Sequence, residues 1–159
     1  MELIFKKADI QDLKMLVDTR IEVLRAANKL EDSVDMSEVR VQSEEYYREA
    51  LEKGAHTAYL VYDGDRFVGT GGISFYRVMP TFHNPSGQKA YIMNMYTSPD
   101  YRKRGIASKT LDLLVSQAKG RGITHITLEA TQMGRPLYEK YGFVGMKDEM
   151  ELPEWRIQN

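Results

Sequence analysis

The chain has 159 residues, 42% apolar and 28% charged, with a formal net charge of −1. That balance suits one globular domain with one core and argues against general binding of nucleic acid or an anionic membrane, since both need a basic surface. Cysteine is absent, which excludes disulfides, thiolate metal sites and cysteine nucleophiles, and His56, His83 and His125 lack the spacing of a metal pair.

The N-terminal stretch MELIFKKADIQDL has no signal-peptide run, and no segment approaches a membrane span, so the cytoplasm is the default location. Residues 1–8 alternate like a strand. Residues 9–29 read as a helix, with Asp9 as N-cap and Ile10, Leu13, Leu16, Val17, Ile21 and Leu24 at helical spacing. A polar stretch over 30–36 leads to a second helix, capped by Ser37 and ending near Gly54. The period then changes to two: HTAYLVYDGDRFVGTGGISFYRVM reads as two strands joined at Asp63–Gly64–Asp65. Gly69, Gly71 and Gly72 point to a bulge or a close backbone approach in the second of them. After the loop PTFHNPSGQ, AYIMNMYT reads as a buried strand and residues 105–119 as a helix with Ala107, Leu111, Leu114 and Ala118 on one face. ITHITLEAT is a further strand, Pro136 opens a short helix that Gly142 ends, and FVGMKDEMEL is expected to close the chain with strands. The order β-α-α-β-β-β-α-β-α-β-β implies an α/β domain over 1–159, a mixed sheet with helices on both faces.

The most informative stretch is MNMYTSPDYRKRGIASKTLDLL. A strand runs into Pro99, then Arg102, Lys103, Arg104 and Gly105, then a helix. The start of a helix offers unpaired N–H groups and the positive end of its dipole, which together suit a pyrophosphate. Gly105 lets the anion approach the backbone, Ala107 preserves that access, and the Ser108 hydroxyl adds a donor. Neither GxxxxGK[ST] nor GxGxxG is present, so this is not a nucleotide P-loop or a dinucleotide fingerprint.

Arg102-x-x-Gly105-x-Ala107 resembles the acyl-CoA-binding motif of the GNAT superfamily of N-acetyltransferases, and PLYEKYGF (Pro136 to Phe143) resembles its tyrosine-bearing second motif. The two stand in the family's order, separated by one helix and one strand. The resemblance spans nearly the whole chain. It implies a central, mostly antiparallel mixed sheet flanked by about four helices, acetyl-CoA as cosubstrate, no metal, and a small-molecule amine as acceptor. A homodimer would be in keeping with it. Where many members carry asparagine before the second helix, this sequence has Thr131.

Acetyl transfer to an amine requires a polarised thioester carbonyl, a neutral amine and a stabilised thiolate. By the resemblance, the Met95 backbone N–H is the oxyanion donor. Met95, Tyr96 and Thr97 flank the pantetheine arm, and Arg102, Lys103, Arg104, Gly105, Ile106, Ala107 and Ser108 hold the pyrophosphate, with Thr131 and Tyr138 completing the cofactor set. The side chains of Met93 and Met95 read as core packing. Tyr138 matches the family's general acid: a phenol of pKa ~10 can protonate a thiolate whose acid has pKa ~8.5 when geometry allows. Tyr141 reads as packing. Glu129 and His83 are the candidate bases, and Arg20, Arg25 and Tyr46 the candidate acceptor contacts in the helical region 20–53. A different class, an acyl-CoA-binding sensor without turnover, keeps the same cleft but has no need of an acid at position 138.

Overall fold

The structure is a computed structural model that describes residues 2–158. Met1 and Asn159, at the two ends of the expected 1–159 domain, lie outside the described residues, as does the first position of the expected strand 1–8. The chain divides into two units, one ending at Glu129 and one beginning at Ala130.

The first unit opens with β1 (Leu3–Lys7) and a 3-10 turn over Ile10–Asp12 that feeds α1 (Leu13–Asn28). Asp9 caps this turn, not the α-helix itself. Its carboxylate accepts the Gln11 N–H at 2.9 Å while Asp12 accepts the Asp9 N–H at 2.9 Å, a reciprocal capping box. α2 (Ser37–Lys53) starts at Ser37 as its first helical residue, so Ser37 is not the cap. Met36 is the N-cap and makes no side-chain cap bond; Asp35, one residue earlier, accepts the Ser37 N–H at 2.9 Å, and its negative charge suits the positive end of the helix dipole. Gly54, at φ 70°, ends the helix in the left-handed conformation.

The sheet follows: β2 (His56–Asp63), β3 (Arg66–Arg77), β4 (Gln88–Thr97) and β5 (Ile126–Leu128). Strand order is β1-β2-β3-β4-β5, antiparallel except for the parallel β4–β5 pair. A parallel pair needs a crossover, and α3 (Ile106–Gly120) supplies it. The middle of β2 is buried on both faces. Leu60 packs with Leu16, Val17 and Tyr47 from α1 and α2, while Val61 packs with Val68, Tyr101 and Ile106 on the α3 side. The period-two pattern of the sequence therefore lies between two helical layers.

The strand expected over ITHITLEAT is only three residues long, because β4 offers it partners only at Ala90, Tyr91 and Ile92. In the second unit, α4 (Arg135–Tyr141) carries Pro136 in its first turn and ends at Gly142, as expected. The strands expected in FVGMKDEMEL are absent among the described residues, so the sheet has five strands where the sequence implied seven. Val144, Met146, Met150 and Leu152 mimic a strand alternation but are all exposed, and an alternation with no face to bury has nothing to enforce it. The unit ends in α5 (Glu154–Gln158), which the sequence did not suggest.

Candidate active site

β4 pairs with β3 from Gln88 through Thr97, but with β5 only through Ile92. Beyond Ile92 the two parallel strands part. Among the described residues, β4 has a strand on one edge only from Met93 to Thr97, so its outward-facing backbone groups can pair with an extended ligand.

A bulge lies in this same stretch. Thr70 pairs with Tyr96 and Gly72 with Met93, so the single residue Gly71 faces both Asn94 and Met95. The extra residue is on β4, and Asn94 adopts φ 60°, a left-handed conformation that asparagine tolerates better than most residues. The glycines of β3 explain why it can happen. A Cβ on Gly71 would lie 2.6 Å from the Met95 sulfur and 2.8 Å from Thr110 Cγ2, and one on Gly72 would lie 2.7 Å from His56 Nε2. Both the bulge and the close approach expected from these glycines are present.

The end of β4 leads through a 3-10 turn (Pro99–Tyr101) to the start of α3. Arg102 Nε donates to the Thr97 carbonyl at 3.3 Å, tying the cationic loop to the strand end. Tyr101 is buried beneath two guanidinium groups, those of Arg66 and Arg104, each 5.0 Å from its ring centre. Lys103 and Gly105 both have positive φ, 62° and 81°, and a Cβ on Gly105 would meet nothing within 4 Å. The Gly105 carbonyl accepts the Lys109 N–H at 3.1 Å as the helix begins. The amides of Ile106, Ala107 and Ser108, ahead of that bond, are first-turn donors without an intrahelical acceptor. Ile106 is buried in the core beside Val61 and Val68, whereas Arg102, Lys103, Arg104, Gly105 and Ser108 are exposed and Ala107 is partly covered. The ingredients of an anion site, cations, an uncovered helix start and space in front of a glycine, thus occur together. Met95, Tyr96 and Thr97 are all half-buried, with Tyr96 stacked on Phe67 at 6.3 Å.

Other residues singled out in the sequence have more local partners. Glu129 is exposed, and its backbone meets the Tyr91 hydroxyl; burial, with the Glu129 charge behind it, pushes that phenol above its ordinary pKa. His83 is exposed and edge-on to the exposed Phe82. Arg25 donates to the carbonyls of Glu31 and Val34 at 2.6 and 3.0 Å, which clamps the α1–α2 connection. In the second unit, the Thr131 hydroxyl accepts the Gly134 N–H at 3.1 Å and so shapes the approach to α4. Tyr138 is buried, its ring edge-on to Phe143 at 6.1 Å, and burial raises its phenol pKa. Tyr141 also lies against Phe143.

Sequence reasoning named Arg20 and Tyr46 separately but missed Asn94, His56 and Ser74, with which they form a polar group on the α1–α2 face of the sheet. Arg20 Nη1 donates to Asn94 Oδ1 at 2.9 Å. His56 Nδ1 lies 3.0 Å from Ser74 Oγ and 3.2 Å from the Tyr46 hydroxyl, which is itself 2.7 Å from Ser74 Oγ. The Nε2 atom of His56 is buried without a partner, and burial, aided by the Arg20 charge, holds this imidazole down to about 4. The nearby Tyr47 phenol is pushed up to about 12, again by burial. One signal was available: Arg20 falls between Val17 and Leu24 on the apolar stripe of α1, where a charge is out of place.

Among the described residues no group of three or more metal-ligating side chains converges, and no helix is long and apolar enough to cross a membrane. The profile of the acetyltransferase (GNAT) family matches residues 23–143. A predicted acetyltransferase from Clostridium acetobutylicum, solved with acetyl-CoA, is 34% identical over 98% of both chains, with a TM-score of 0.88. A GCN5-related N-acetyltransferase from Ralstonia eutropha shares the fold at 24% identity and a TM-score of 0.82, over 96% of this chain and 98% of that one. The uncharacterized N-acetyltransferase YsnE of Bacillus subtilis (strain 168) is 28% identical over 92 residues, and the match spans 55% of either protein, only about half the length of that relative.

Proposed function

The chain belongs to the GNAT family of acetyltransferases, enzymes that draw their acetyl group from acetyl-CoA, and from that premise we propose that it transfers acetyl to the primary amine of a small molecule by direct attack in a ternary complex. The observation that carries this is the parting of β4 from β5 after Ile92, directly ahead of a glycine-capped helix start with open space before it.

The cofactor, when bound, supplies a thioester whose acyl carbon takes the amine nitrogen as its C–S bond breaks. In this assignment the open edge of β4 at Tyr96 and Thr97 pairs with the pantetheine arm, and the Met95 amide donates to the carbonyl oxygen as negative charge develops there. The first-turn amides of α3, with Arg102, Lys103 and Arg104, neutralise the pyrophosphate, and the Ser108 hydroxyl adds a donor. Tyr138 gives its phenolic proton to the departing sulfur. This acid assignment rests on its place in PLYEKYGF, and burial, by keeping the phenol protonated, is consistent with it. The amine's surplus proton leaves to Glu129 or to water; exposure of Glu129 favours a role through solvent. Thr131 stands where many relatives carry asparagine and is assigned to the cofactor by position. The acceptor is a small molecule, and neither a metal, a nucleic acid nor a membrane is needed. The cytoplasm is taken as its location, and the homodimer is the assembly to look for.

The test has two stages. Acetyl-CoA at a hundredfold excess over its Kd should stabilise the fold by about 2.7 kcal/mol in a melt. A thiol-release assay against an amine panel should then give acetyl-CoA-dependent turnover. A melt unmoved by millimolar acetyl-CoA would remove the cofactor assignment.

A further inference from the structure

α1 presents Leu16 and Val17 to the core, and Arg20, one turn on, continues the same stripe. Its guanidinium is half-buried, and desolvation lowers its pKa. A buried cation normally has a carboxylate beside it. Arg20 takes part in none of the ion pairs formed among the described residues; the contact it does make is with the neutral Asn94 amide. One of its five N–H donors is thereby used. The groups whose charge couples to it are neutral at physiological pH: the Tyr47 phenol, and the His56 imidazole with its buried, unpartnered Nε2. The Tyr46 and Ser74 hydroxyls complete the cluster through His56. This face of the sheet thus carries uncompensated positive charge and unused hydrogen-bonding capacity beside Asn94, the residue next to Met95.

We propose that Arg20 is the specificity-determining residue of the acceptor site and binds an oxyanion, carboxylate or phosphate, carried by the amine substrate within a few bonds of its nitrogen. The inference rests on the cofactor strand assigned above. An anion on the acceptor supplies the missing countercharge, and guanidinium geometry suits it bidentately. The same cation disfavours the ammonium form of the incoming amine, which must be neutral to attack. A polycationic acceptor would meet repulsion here.

Matched pairs test this on the full chain: L-alanine against L-alaninamide, O-phosphoethanolamine against ethanolamine, and spermidine as the polycation. The anionic member of at least one pair should have a kcat/KM tenfold or more above its neutral twin, and which pair responds tells carboxylate from phosphate. Arg20→Gln should raise KM for the anionic acceptor about 10- to 100-fold, the loss of a charge-assisted bond, and erase the discrimination, with Arg20→Lys recovering part of it. Asn94→Gly removes the partner amide but keeps a residue suited to positive φ, so discrimination should survive. Neutral or polycationic amines turned over as well as anionic ones, discrimination unchanged in Arg20→Gln, or equal loss in Asn94→Gly and Arg20→Gln each overturns the proposal. If no member turns over, calorimetric titration of the same compounds onto the CoA-saturated protein decides, and absence of Arg20-dependent binding of either anion also overturns it. An acetyl-CoA melt on the same samples separates this failure from that of the cofactor site.

Discussion

Arg20 Nη1 reaches Asn94 Oδ1 at 2.9 Å across 74 residues of sequence, joining the apolar stripe of α1 to the left-handed residue of the β4 bulge. The contact fixes the strand where its edge is open. Asn94→Val should cost about 1–3 kcal/mol, because a β-branched residue at φ 60° is strained and the guanidinium loses its acceptor. Asn94→Gly should lose less than half as much, since glycine accepts that dihedral freely. Equilibrium denaturation of both variants checks this; equal losses would mean that backbone conformation is not what position 94 supplies.

Two glycines should respond in opposite ways. At Gly71 a methyl group would meet Met95, Thr110 and Leu114 at 2.6, 2.8 and 3.1 Å, so Gly71→Ala should destabilise by about 1–3 kcal/mol and disturb the bulge. Gly105 faces open space at φ 81°, so Gly105→Glu should fold with a loss of about 1 kcal/mol from strain, yet lose acetyl-CoA binding because bulk and negative charge would occupy the anion site. Melts and calorimetric titrations separate the two effects. Cofactor affinity within a few-fold of wild type in Gly105→Glu would place the phosphate site elsewhere.

What was legible in the sequence follows from what is local. Gly54, Gly64, Gly105 and Gly142 all carry positive φ, and they mark turns or helix ends because steric limits act on single residues. The glycines of β3 announced a bulge, and one lies in β3 beside Gly69, where Val61 pairs with Gly69 and Tyr62 with Phe67; that a second has its extra residue on β4 is decided only by pairing across strands. Likewise nothing in ITHITLEAT says that its partner strand departs after Ile92. The closing segment misled for the converse reason: its alternation was real, but its apolar side chains at Val144, Met146, Met150 and Leu152 are exposed, and an alternation with no face to bury enforces no strand. Arg25, Arg20 and Tyr46 stood out by residue type, but their partners are tertiary and invisible in the sequence: two carbonyls for Arg25, the Asn94 amide for Arg20, and a histidine and a serine for Tyr46.

His56 should make stability depend on pH in a defined window. Its folded pKa of about 4 lies below the ordinary ~6.5, so the unfolded chain binds the proton more readily. The stabilisation is complete above pH ~6.5 and is lost as pH falls toward 4, by about 3 kcal/mol at most for that shift. In His56→Gln the denaturation profile should be flatter between those limits, after subtraction of the carboxylate background. Arg20→Gln should move the His56 midpoint upward, because it removes a positive charge that opposes protonation. NMR titration of the imidazole reads that midpoint directly, and an unshifted value near 6.5 in wild type would show that the ring is not desolvated.

Tyr138→Phe removes one hydroxyl and keeps the ring against Phe143. If the phenol protonates the leaving thiolate, kcat should fall by about 10²–10⁴, the usual range for a lost general acid, while acetyl-CoA affinity holds. The pH profile adds a second signature. Burial raises the phenol pKa, so the acid form persists through neutral pH, and in wild type the rate should fall only as pH rises past that raised value. The variant should lose this alkaline limb. A purely structural hydroxyl predicts something else: about 1 kcal/mol less stability, as for a lost hydrogen bond, with turnover and its pH profile retained. Steady-state kinetics across pH with an active acceptor distinguishes the outcomes, and wild-type kcat at every pH in Tyr138→Phe would hand protonation of the thiolate to solvent.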